Sequence, residues 1–210
     1  MLRTVKALAP LTALIVALGA AACNPPIYIS GVETVNPELR QRSVKDLTRM
    51  FNRQEQVAKD IQVSATLWDL SWIVAFQEGR ATRKEQSADV ARQNIDAWRK
   101  RFLVGQTAFR VRIELLNRAE VTAGTDRIVR FKEWSWKLKL SDGSVVPYKA
   151  LHVELSRRWK APNHRYHYRL DGTVHFGVRL DPEKYRWVEL WAYPPGDRPA
   201  VHLRWNLKKP

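Results

Sequence analysis

The chain has 210 residues, 45% of them hydrophobic, with nine Trp, a single Cys and a formal net charge of +15. That much apolar and aromatic content excludes disorder over most of the length, and one cysteine excludes any intrachain disulfide, so apolar burial must hold the fold together. The positive charge is uneven: residues 106–210 carry 21 Lys/Arg against 11 Asp/Glu, whereas residues 24–105 carry 13 against 10.

The chain opens with Arg3 and Lys6, an apolar run from Ala7 to Leu18, and then Gly19-Ala20-Ala21-Ala22-Cys23. A short basic start, a short apolar stretch and small residues before a cut site have the form of a secretory signal peptide. With Pro10 in it, the run is short of the ~20 apolar residues of a spanning helix. With cysteine directly after the small residues, the segment resembles a bacterial lipoprotein precursor of the signal peptidase II type. The resemblance implies removal of residues 1–22 and acylation of Cys23, and hence an envelope protein held to a membrane by lipid. By the same resemblance, Asn24, where an Asp would retain the protein in the inner membrane, points to the outer membrane. The alternative is ordinary secretion with Cys23 left as a free thiol. For an exported protein, nucleic acid is not an expected partner; another envelope protein or an anionic polymer is.

Residues 23–37 carry three prolines and no helical period, and read as a lipidated tether. Residues 38–210 are then a single domain. Within it, residues 38–56 fit a helix or a strand, while Asp60–Leu67 alternates in the manner of a half-buried strand. Residues 69–102 predict a helical hairpin: Leu70, Ile73, Val74 and Phe76 in a first helix stopped by Gly79, a capping box at Thr82–Glu85, then Ala88, Ala91, Ile95, Trp98 and Phe102 at helical spacing.

From Thr107 the period becomes two. Phe109, Val111, Ile113 and Leu115 alternate with charged residues, and Trp134, Trp136, Leu138 and Leu140 alternate with Ser135, Lys137 and Lys139. Further strands are expected at 149–156, 166–170, 173–180, 186–193 and 200–207. The turns between them are expected at Asp142-Gly143, Ala161-Pro162-Asn163, Asp171-Gly172, Asp181-Pro182 and Pro194–Asp197. The expected fold is therefore mostly β, an antiparallel immunoglobulin-like β-sandwich with a helical hairpin near 69–102. In this layout, though in no motif, the domain is similar to uncharacterised envelope lipoproteins.

Chemistry is sparse in the sequence. No Gly-x-Ser-x-Gly, Ser-x-x-Lys or glycine-rich phosphate loop occurs, and neither cofactor nor metal is expected. His152, His164, His167 and His175 cluster in sequence, but basic neighbours surround them, and strand residues three apart face opposite ways. One aromatic surface stands out. Trp187 and Trp191 share a strand face with Glu189 between them and Arg186 beside them; buried they are core, exposed they stack on sugar rings. The expectation is a non-catalytic binding or assembly role for a membrane-anchored envelope lipoprotein. The alternatives are a cell-wall polysaccharide hydrolase, which requires carboxylates converging beside exposed Trp, and a purely structural subunit of an envelope complex.

Overall fold

The computed structural model describes residues 25–31, 33–118, 127–160 and 165–208. Cys23 and its leader, the Ala161-Pro162-Asn163 turn and His164 lie outside these residues.

Alternating apolar residues build the strands, and the strands join into one mixed sheet in place of a two-sheet sandwich. In chain order they are β1 (Ile27–Tyr28), β2 (Asn52–Ala58), β3 (Ile61–Leu67), β4 (Thr107–Arg118), β5 (Ser135–Leu140), β6 (Val145–Lys160), β7 (Tyr166–Phe176), β8 (Trp187–Tyr193) and β9 (Val201–Lys208). The spatial order is β1-β9-β8-β5-β6-β7-β4-β3-β2, parallel only between β1 and β9. The sheet curls into a half-barrel. It is continuous because β6 serves both halves: Val145–Pro147 pair with β5, and Tyr148–Lys160 pair with β7. Register shifts after Tyr148 and Val153 bend β6 as it crosses.

The two halves bury their inward rows against each other. Phe109 of β4 lies 5.0 Å from Trp205 of β9, centroid to centroid, and Val111, Ile113, Leu138, Val188 and Leu190 are fully buried around them. Each such side chain contributes roughly 1.5–3 kcal/mol. Helix α1 (Val44–Phe51), capped by Ser43, inserts Leu47 and Phe51, and the Phe51 carbonyl accepts the Trp205 Nε1–H at 2.7 Å. Opposite β6, strands β2 and β9 meet through side chains. Arg53 Nε donates to the Arg204 carbonyl (3.2 Å), and the His202 N–H donates to Glu55 (3.1 Å).

Several local expectations are redrawn. Within residues 23–37, read as a tether, Ile27–Tyr28 form β1, and Ile27 and Ile29 are buried in the core. Asp171-Gly172 is no turn: β7 runs straight through it, with Gly172 paired to Val111 of β4 and Val153 of β6, and the ring of Phe131 fills the space that a side chain would take there. The helical hairpin is present as α2 (Leu70–Arg83) and α3 (Ala88–Phe102). Gly79 does not stop α2, which continues to bury Ala81. The cap of α3 is Ser87 in place of Thr82. Thr82 instead donates to the Glu78 carbonyl (3.1 Å), and α2 ends in a Schellman turn with Glu85 at φ +52°.

Among the described residues, no helix is long and apolar enough to cross a membrane.

Candidate functional site

The α2–α3 hairpin rests on the outer face of β4 and β7, and where its edge meets the sheet it leaves a cleft of about 290 Å³. Helical spacing makes one wall. Trp72 and Phe76 are one turn apart on α2, and Trp98 and Phe102 one turn apart on α3, so the pairs face each other across the hairpin. Trp72 and Phe76 stack at 5.0 Å and 9°, Phe76 and Trp98 at 5.4 Å and 25°. Trp68, in the link between β3 and α2, closes the cluster at 5.0 Å from Trp98 and 4.2 Å from Phe102. Trp72 is fixed by its Nε1–H, which donates to Thr48 Oγ1 at 2.8 Å. Phe76 and Trp98 remain half-exposed.

The facing wall is polar and comes from three adjacent strands. Arg110 on β4, Thr173 on β7 and His152 on β6 are register neighbours in one row. Glu154 falls at the β6 register shift, which turns it into the same space. Its carboxylate accepts the Thr173 hydroxyl at 2.7 Å and lies 3.5 Å from Arg110 Nε. Arg101 on α3 completes the rim. Beneath the hairpin, buried His175 stacks on Phe102 at 5.5 Å. Burial, together with the charges of Arg101 and His152, holds its imidazole below the ordinary histidine range.

Arg110 and Thr48, the partner of Trp72, also border a second, polar hollow of about 260 Å³ along the outer face of β2–β3–β4. At its end, Asp171 accepts from Arg112 Nε (2.9 Å) and Arg169 Nε (2.7 Å). Burial raises the Asp171 carboxyl, but the bonds from Arg169 and Arg112 outweigh it, and the group titrates below its usual range.

Trp187 and Trp191 lie elsewhere, half-buried on the outer face of β8, while Val188, Leu190 and Ala192 face the core. Other side chains cover them: Arg204 sits 4.3 Å from the Trp187 ring, Lys139 5.2 Å from Trp191, and the His202 ring stacks on Trp191 at 4.9 Å. Glu189, between them on this face, accepts the Trp191 indole N–H at 2.6 Å. Arg186 is used through its backbone, which donates to Ser141 Oγ (2.9 Å).

His152, His167 and His175 do not converge. His167 stacks on Trp159, and the described residues hold no group of three or more His, Cys, Asp or Glu able to bind a metal ion. The aromatic cleft was not legible as a site. Trp98 and Phe102 read as the apolar stripe of a helix, and no spacing in the sequence marks Arg110, Glu154 and Thr173 as the wall opposite.

No protein-family model and no curated protein matches this sequence. A solved protein of unknown function from Burkholderia pseudomallei K96243 is similar to it, at 11% identity and a TM-score of 0.40 over 76% of this chain and 80% of that one.

Proposed function

We propose that this is an envelope lipoprotein, acylated on Cys23 and held at the outer membrane, that binds an anionic sugar ring in the cleft between the hairpin and the sheet without transforming it. The observation that carries the reading is the pairing of two unlike walls. Phe76 and Trp98 offer half-exposed rings on the hairpin, with Arg101 beside them 5.0 Å over the Phe102 ring, and Arg110 and His152 stand across from them with Glu154, so two arginines face a single carboxylate. Aromatic faces take the apolar face of a sugar ring, and a net positive rim takes its carboxylate. Glu154 is itself occupied by Arg110 and Thr173, an arrangement that holds a binding group in place more readily than it frees a general acid.

Full-length protein in detergent micelles, titrated with the N-acetylglucosamine–N-acetylmuramic acid disaccharide, should show saturable quenching of Trp fluorescence. Neutral N,N′-diacetylchitobiose should bind at least tenfold more weakly, and Trp98→Ala should abolish the response. Equal binding of the two sugars, or none of either, overturns the cleft reading. Hydrolysis of the disaccharide polymer by the wild type, lost in Glu154→Gln, would make the protein an enzyme instead. Acylation is tested separately: globomycin or Cys23→Ser should leave uncleaved precursor, and unchanged processing refutes it.

A further inference from the structure

The middle strand of the sheet is its most exposed one. β6 stands fifth of nine in the spatial order, yet none of its sixteen residues is buried. The cause is the parting of the two half-sheets. Among the described residues β5 covers β6 only at Val145–Pro147, and from Lys149 to Arg157 the edge turned away from β7 has no strand partner. Of the six large hydrophobic side chains exposed among the described residues, four are on this strand: Val145, Tyr148, Val153 and Trp159. A long edge with unpaired backbone groups and protruding apolar side chains is a template for another strand, and folded proteins ordinarily shield such edges.

Charge selects the occupant. β6 bears Lys149, Arg157 and Lys160, and its carboxylate Glu154 is already turned toward Arg110 and Thr173. A second copy is a poor fit: antiparallel pairing of two β6 strands centred on Val153 sets Lys149 opposite Arg157 twice over, and like charges directly opposite are destabilising. We propose that the free edge of β6 from Lys149 to Arg157 is a docking site for an acidic, extended segment of another protein, which adds a strand to the sheet by β-augmentation. Backbone hydrogen bonds would supply affinity, and alternating acidic side chains would supply the selection. This stretch of β6 also carries His152 and Glu154 of the aromatic cleft, but docking would use the backbone edge turned away from β7 and does not depend on a ligand in the cleft.

The test uses the full-length protein and three decapeptides: one alternating Glu with Val, one alternating Lys with Val, and the acidic one with a central Pro. The acidic peptide should bind at least tenfold more tightly than either control, and isotope-edited infrared spectra should show it gaining strand structure. The double variant Lys149→Glu/Arg157→Glu, both exposed positions, should reverse the preference toward the lysine peptide while near-ultraviolet circular dichroism stays unchanged. Equal binding of all three peptides, or an unchanged preference in the variant, overturns the proposal. So does a concentration-dependent dimer trapped by a Val153→Cys disulfide, since the occupant would then be a second copy.

Discussion

The ring of Phe131 occupies the space in which Gly172 would carry a side chain. A Cβ at Gly172 would lie 2.6 and 2.7 Å from two carbons of that ring and 2.9 Å from the His152 carbonyl. Phe131 in turn stacks on Trp136 at 5.5 Å, so it has no room to withdraw. Glycine is needed here for close approach rather than for an unusual backbone angle. Gly172→Ala should cost about 1–3 kcal/mol, the range for overpacking a core. A urea midpoint within error of wild type would refute this.

Glu85 holds the left-handed position that ends α2, with the Gln86 N–H donating to the Ala81 carbonyl at 2.9 Å. A side chain there carries a steric penalty that glycine avoids. Glu85→Gly is expected to raise stability by about 0.5–1 kcal/mol, against the usual effect of adding a glycine. Thermal melts at neutral pH decide it, and a lowered melting temperature would count against the Schellman geometry.

His175 ties the hairpin to β7, and its pKa is depressed by burial and by Arg101 and His152. Because the unfolded chain binds the proton more readily, this group's contribution is complete above the ordinary histidine value of 6.5. It is lost as the pH falls through that value toward the folded one. Wild type should therefore lose more stability between pH 7.5 and 5.5 than His175→Gln does. Parallel denaturation curves for the two proteins across that interval would exclude His175 as the source.

Asp171, its side chain 2% exposed, carries two arginines, Arg112 and Arg169. Asp171→Asn should cost about 1–3 kcal/mol at neutral pH, the cost of breaking hydrogen bonds to a buried charged acceptor whose partners are partly solvated. Since the wild-type carboxyl titrates below its usual range, its contribution is present above that range and fades as the pH falls through the folded value. The gap between the two proteins should narrow in acid. A constant gap from pH 7 to pH 3 would assign the effect to shape instead of charge.

What could be read from the sequence is what alternation fixes locally. β3 buries Ile61, Val63, Ala65 and Leu67 and half-exposes every residue between, and β4, Trp134 and Trp136 obey the same period. β2 could not be read, because its largely polar sequence forms a strand only by pairing with β3. Asp171-Gly172 has the composition of a turn, and the reason it is not one lies in its pairing with Val111 and Val153, partners distant in the chain. The aromatic cleft is hidden for the same reason. Its two walls come from helices near residues 68–102 and from strands near 110, 154 and 173, and no spacing within either stretch shows that they face each other.

The pairing of β1 with β9 has a mechanical meaning for the protein's surroundings. Ile27 lies beside Leu207, and the Lys208 ammonium donates to the Tyr28 hydroxyl at 2.6 Å, so the chain is moored to the domain only four residues after Cys23. Four residue steps reach about 14 Å at full extension, less than half the thickness of a bilayer's hydrocarbon core. A lipid on Cys23 would thus berth the sheet against the headgroups with its β1–β9 corner downward. A fusion partner placed after Lys208 would sit in the shadow of the membrane, where antibodies and proteases reach poorly.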